Sequence, residues 1–283
     1  MQRLSSDEIK QVEFNILKNV AQFCDEREIR YYLGGGTLLG AVRHQGFIPW
    51  DDDIDISMPR EDYLRFVKEY NGYSNIYEVK SIEIEPAYWR TFAKVFDTRT
   101  WLKEDTIRIP KKGNAVFIDV FPIDGIPEDP WKQFLLFKEQ EFLNFLYHGS
   151  AWNYTRSFKY KDSGGMFAEL KGIIRTLLKF IAITLLYPLS TRKIIKRINE
   201  NASKYPYQQC KYIGAIVVCA HGAACEKMLK KNFEPRIRFE FEGEMFWGPK
   251  GYEEYLTSLY GKYNELPPEK KRVPHHDFEA FWK

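Results

Sequence analysis

Cysteine is scarce in this chain of 283 residues: Cys24, Cys210, Cys219 and Cys225 are the only four, and they sit at no compact disulfide spacing. A disulfide-stapled scaffold is therefore excluded. An apolar leader is missing too, since the opening MQRLSSDEIK is polar and charged, so a reducing cytoplasm is the expected compartment. Charge of either sign is in little excess. A net charge of +3 is small for this length and gives no general attraction to nucleic acid, which is not an expected partner. Long apolar runs are also lacking. The nearest approach, IIRTLLKFIAITLLYPL at residues 173–189, contains Arg175 and Lys179 and stops at Pro188, short of the ~20 apolar residues that span a bilayer. It reads either as a helix buried in a helical subdomain or as a peripheral helix at the inner face of a membrane. The second reading draws on the basic flanks Lys171, Arg192, Lys193, Lys196 and Arg197.

What is present suffices for a core, because hydrophobic residues make up 44% of the chain and aromatic residues 16%. Ser5-Ser6-Asp7-Glu8 matches a capping box, and Ile9, Val12, Ile16, Val20 and Phe23 recur at helical spacing as far as Arg27. Residues 29–33 then run as a short strand into Gly34-Gly35-Gly36 and a short helix at 37–43. A strand at 54–58, a helix at 60–70 and strands at 77–84, 89–96 and 115–121 follow. Beyond Pro130 the pattern becomes helical, at 131–147, 167–187 and 191–205, with a loop at 157–165. Strand-like runs at 212–219 and 236–241, a helix at 252–260 and an irregular tail close the chain. The expected class is α+β: a mixed β-sheet core with flanking helices and a helical insert. Residues 1–129 would form the catalytic core, 130–209 the helical subdomain and 210–283 the return to the core, in one integrated unit.

One stretch is crowded with negative charge. GFIPWDDDIDISM, residues 46–58, sets Asp51, Asp52, Asp53 and Asp55 ahead of apolar residues, and such neighbours repel unless a cation compensates. Residues two apart on a strand share a face, so Asp53 and Asp55 stand side by side while Ile54 and Ile56 turn to the core. That pair suits a hard cation, Mg²⁺ or Mn²⁺. The competing reading is a solvated acidic turn after Pro49, which fits Asp51 and Asp52. Just upstream, Gly34, Gly35 and Gly36 let backbone amides approach a phosphate closely, and the helix amino terminus adds partial positive charge. Candidate cations are Arg43, one short helix beyond the glycines and placed to reach a diphosphate, Lys94 and Arg99. Lys94 lies among Phe92, Ala93, Val95 and Phe96, where a lysine wants a nearby anion. His44 either touches the donor or faces its helix carboxyl end. Cys219, His221 and Cys225 invite a zinc reading, but their spacing fits no standard finger, and packed thiols are expected.

LGGGTLLGAVRHQGFIPWDDDIDISM resembles the signature of the LicD family, within the nucleotidyltransferase-fold superfamily. KVFDTRT (94–100), FIDVFPIDG (117–125) and YGKYNELPPEKKRVPHH (260–276) are similar to further blocks of that family, so the likeness covers most of the chain. It implies a nucleotidyltransferase-like sheet and metal-dependent transfer of an alcohol phosphate. Phosphocholine would pass from CDP-choline, or another alcohol phosphate from its CDP derivative, to a sugar hydroxyl of a cell-surface glycan or teichoic acid precursor, free or lipid-linked, with release of CMP. Fukutin-related proteins are similar and move ribitol phosphate, so ribitol or glycerol phosphate is the alternative cargo. The resemblance assigns Asp53 and Asp55 to the metal pair. Asp119, between Ile118 and Val120, becomes the third acid, joining the metal or accepting the acceptor's proton, although Asp124 lies close by. Gly35, Gly36, Thr37, Arg43 and Lys94 complete the candidate set on the donor side, and His275 and His276 fall near the site without a role. A choline headgroup would want aromatic faces, for which Trp50, Trp89, Trp101, Trp152 and Trp247 are available. Two rivals remain at this stage. A true nucleotidyltransferase would attack the α-phosphate of a triphosphate and release pyrophosphate; a non-catalytic glycan- or membrane-binding protein would need damaged acids, and all three are present.

Overall fold

The computed structural model describes residues 2–104, 114–151, 177–178, 180–186, 188–219, 222–269, 272 and 278–283. A short strand, β1 (Gln2–Arg3), precedes helix α1 (Ser6–Glu26), which begins where the capping box predicts. There the Ser5 hydroxyl accepts from the Glu8 N–H while the Glu8 carboxylate accepts from the Ser5 N–H at 2.7 Å. The α1 stripe Val12, Ile16, Leu17, Val20 and Phe23 is buried, and the helix packs on β5 (Ala93–Asp97) and β7 (Phe117–Ile126).

Strand β2 (Tyr32–Leu33) leads through the glycines into α2 (Gly35–His44), then β3 (Asp55–Pro59), α3 (Arg60–Glu69) and β4 (Tyr77–Lys80). The sheet runs β2-β3-β7-β5-β4, and within that path β3 and β7 are the parallel pair. Ile54, Ile56, Val95, Ile118 and Val120 are all fully buried between the polar positions of these strands. The far half of β7 carries the chain onward. It pairs with β8 (Tyr212–Gly214), which pairs in turn with β9 (Met228–Leu229). A second apolar cluster, which includes Phe92, Ile126, Leu136, Leu143 and Ile198, lies under α4 (Pro130–Ala151) and the helix Thr191–Ala202. The hairpin of β10 (Arg236–Phe241) and β11 (Glu244–Pro249) turns on Glu242 and Gly243, both at positive φ.

Several strands differ from expectation. β4 stops at Lys80, which pairs with Lys94 at the end of the β4–β5 ladder. The expected strand 89–96 begins only at Ala93, and that at 212–219 ends at Gly214. The tail read as irregular contains β12 (Phe278–Trp282), which lies between β1 and β6 (Thr100–Glu104). Segment 173–189 is expected either as a buried or as a peripheral helix. Among its described residues 180–186 are helical and Ile183 is buried, but Leu177, Leu178, Phe180, Ile181, Leu185 and Leu189 are exposed. The described part of the segment therefore has one packed edge and is not enclosed. Trp152, the loop 157–165, Lys171, Arg175, Lys179, His221, His275 and His276 lie outside the described residues.

Candidate active site

The glycine turn and the acid strand hold each other through their backbones. The Gly34 N–H donates to the Asp55 carbonyl at 3.0 Å, and the Asp55 N–H donates to the Thr37 hydroxyl at 2.7 Å. From the other side the Gly35 N–H donates to the Tyr255 hydroxyl at 3.3 Å, seating helix Tyr252–Tyr260 against α2. A β-carbon on Gly35 would meet Asp55 Oδ2 at 2.7 Å, and one on Gly36 would meet Asp51 Oδ2 at 2.5 Å. The glycines thus make room for carboxylates at the positive end of α2. Asp51, expected in a solvated turn, is drawn into the site. Burial first, and then Asp53 and Asp52, push its carboxyl up to about 7.

That shift predicts a pH dependence. A carboxyl group raised above its unfolded value binds its proton more tightly in the folded state, so the stability it lends is present at low pH and lost as pH rises through about 7. Without divalent cations, Tm should therefore fall between about pH 4 and pH 7, and Mg²⁺ should flatten the profile. A cation-free Tm that rises over that window would count against this arrangement.

Strand register brings in the remaining acids. Asp55 stands opposite Asp119 in the β3–β7 pair, and Asp119 stands opposite Lys94 in the β7–β5 pair. Lys94 Nζ lies 2.8 Å from Asp119 Oδ1, both side chains nearly enclosed, yet that oxygen has no well-aligned hydrogen bond. Burial outweighs the pull of Asp119 and lowers the Lys94 ammonium to about 8. Asp55 is pushed well above the usual carboxylate range by burial, then by Asp53 and Asp119. Asp124, the neighbouring rival to Asp119, is committed elsewhere, to a two-pronged pair with Arg60 at 2.8 and 2.6 Å. Among the described residues, Asp51, Asp52 and Asp53 bring carboxylate oxygens within 4.8 Å of one another. So dense an oxygen set fits a hard divalent cation.

Cations gather beside the acid loop. Arg43 donates to the Tyr263 carbonyl and to His44 Nε2, each at 2.9 Å, and its pKa is lowered by burial and then by Arg272. The Arg272 guanidinium lies 5.5 Å from the centroid of the Trp50 ring, one residue before Asp51. Among the described residues neither arginine is ion-paired with a carboxylate, and two guanidinium groups that bear on each other electrostatically suit an anion. Arg272 escaped the sequence reading as a candidate, although it lies in the block 260–276. Arg99 does not join this group, since it forks onto Asp97. Of the tryptophans weighed, Trp89 is buried, Trp101 packs on Phe281 and Trp247 donates to Asp25, whereas Trp50 borders the acids. Cys219 is a packed thiol whose pKa burial pushes up to about 12.

The family profile described as LicD/FKTN/FKRP, nucleotidyltransferase domain, matches residues 28–148 and so takes in the glycine turn, Asp53, Asp55, Lys94 and Asp119. In class, this is an α+β protein with a nucleotidyltransferase domain. Over 285 aligned residues it is 35% identical to the lipopolysaccharide cholinephosphotransferase LicD of Haemophilus influenzae, covering 99% of each chain. The chain belongs to the LicD family, whose transferases are in general metal-dependent. A shorter likeness, 56% identity over 34 residues, links 12% of this chain to 7% of the human ribitol 5-phosphate transferase FKRP. An uncharacterized protein of Rickettsia prowazekii is 40% identical over 70 residues, 23% of this chain and 26% of its own.

Proposed function

We propose that this protein transfers phosphocholine from CDP-choline to a sugar hydroxyl of a surface-glycan precursor and releases CMP. The carrying observation is the end-to-end likeness to a cholinephosphotransferase, and the aligned acids supply a chemistry for it. In this reading the acceptor oxygen attacks the phosphorus that bears choline, and the phosphorus–oxygen bond to CMP breaks. Asp53 and Asp55, with Asp51 at the glycine turn, would hold Mg²⁺ or Mn²⁺. A cation held there would supply charge neutralisation for the phosphoryl oxygens. Asp119, held against Lys94, takes the hydroxyl proton, while Arg43 and Arg272 meet the departing CMP phosphate. Gly35, Gly36 and Thr37 shape the turn against which the donor phosphates lie. Trp50 offers a ring face to the quaternary ammonium.

The test is product analysis with CDP-choline, CDP-ribitol and CDP-glycerol, each with Mg²⁺ and candidate glycans. CMP and a phosphocholine-bearing product support the proposal; pyrophosphate from CTP would replace it with nucleotidyl transfer. Ribitol phosphate is the second reading, favoured by the FKRP match. EDTA should stop the reaction and Mg²⁺ or Mn²⁺ restore it, whereas Zn²⁺ should not, because the proposed ligands are all oxygens.

A peripheral membrane contact belongs to the same proposal, with a lipid-linked glycan as the acceptor. Among the described residues no helix is long and apolar enough to cross a membrane. On α4, however, Trp131, Phe134, Leu135, Phe142 and Phe145 are between 48% and 66% exposed. Gly149 of α4 abuts Leu186, so the exposed residues of 177–189 adjoin that surface, and exposed Arg192, Lys193, Lys196 and Arg197 follow. Aromatic and basic groups together suit an anionic lipid surface. Phe142→Glu with Phe145→Glu should weaken sedimentation with anionic vesicles by about tenfold or more, with activity on a soluble acceptor kept. Unchanged sedimentation would remove the membrane contact.

A further inference from the structure

Helix α1 lies outside the stretch matched by the family profile, yet it buries a carboxyl group beside the acid loop. Glu13 is only 1% exposed, and its Oε2 has no hydrogen-bond partner. An unsatisfied oxygen so deeply enclosed costs free energy unless something binds it. Its surroundings are fixed by neighbours on the same helix face. Ile9 and Lys10 line a cleft of about 230 Å³ together with Asp52, and Lys10 Nζ reaches the carbonyls of Ile48 and Pro49 at 3.5 and 3.4 Å. Glu13, one turn further along, shares that face and so looks onto the loop that carries Asp51, Asp52 and Asp53. The charged groups that bear on it are Asp53, Asp52 and Asp119, with Lys10 the one cation among them; burial and those three acids raise its pKa.

We propose that Glu13 contributes a carboxylate oxygen to the divalent-cation site from the α1 side, directly or through a bound water, widening the ligand set beyond Asp53 and Asp55. The inference rests on the acid cluster being a metal site. It explains why α1 should bury an acid there, where a hydrophobic side chain would pack without penalty.

The test is Mn²⁺ binding to the full chain without nucleotide, followed by the electron paramagnetic resonance signal of free Mn²⁺. Glu13→Gln should weaken Mn²⁺ binding by about tenfold or more while the cation-free Tm stays level or rises, since a neutral side chain of the same size relieves the crowding of acids. Glu13→Met, which removes both oxygens and keeps the volume, should show the same loss. Asp55→Asn is the control. If it abolishes Mn²⁺ binding while both Glu13 variants bind within about twofold of the native protein, the role given to Glu13 is overturned and the metal site stands. If Asp55→Asn binds Mn²⁺ like the native chain, the metal site itself falls, and Glu13 with it. Unfolding of both Glu13 variants would assign the residue a structural role and likewise overturn the inference.

Discussion

Asp55→Asn should lower turnover by on the order of 10³-fold and leave the fold intact. The exchange removes one negative charge at unchanged size, and it spares the two backbone bonds through which Asp55 is tied to Gly34 and Thr37. It also relieves a carboxyl group that burial, Asp53 and Asp119 already push toward its protonated form. The cation-free Tm should therefore hold or rise while activity collapses. A destabilised core would move both together. Asp53→Asn should behave alike, and near-native turnover in either variant at saturating Mg²⁺ would rule out the proposed metal pair.

Asp119→Asn should cost both stability and activity, because Lys94 would be left enclosed without its counter-charge. Breaking a buried ion pair by removing one partner costs about 3–5 kcal/mol. Lys94, already lowered to about 8, can shed its proton to limit that loss. Without Asp119, which raises the Lys94 pKa, the lysine loses its proton below about 8, so the deficit should shrink as pH rises toward that value, above which Lys94 is neutral in the native protein too. Adding Lys94→Met removes the stranded charge, so the double variant should recover much of the stability in urea denaturation while turnover stays at least about a hundredfold down. A double variant no more stable than Asp119→Asn would mean that the pair is not coupled as its 2.8 Å contact indicates.

The parts legible in the sequence were those fixed locally. The capping box sets the start of α1, the Gly34–Gly36 run lies beside the acids it accommodates, and β10 and the helix Tyr252–Tyr260 fall on the residues their patterns mark. Asp119 gained its place from a motif, but its alignment with Asp55 and Lys94 is a matter of strand pairing that no local pattern encodes. Asp51 looked solvated because the fold of α2 against it is invisible in one dimension. Glu13 sits in a heptad-like stripe where an acid reads as surface, and Arg272 in a tail rich in charge, so neither gave a signal of its own. β6 and β12 went unread for the same reason as the site register: each owes its existence to a partner far along the chain.

The parallel joining of β3 to β7 has a kinetic consequence. Helix α1 and the β10–β11 hairpin close through near neighbours and should appear early when denatured chains are returned to water, whereas the meeting of Asp55 with Asp119 must wait for a long loop to be drawn shut. Recovery of cation binding should accordingly lag behind the helical circular-dichroism signal, and chains caught between the two stages would show their helices without yet having a place for the ion.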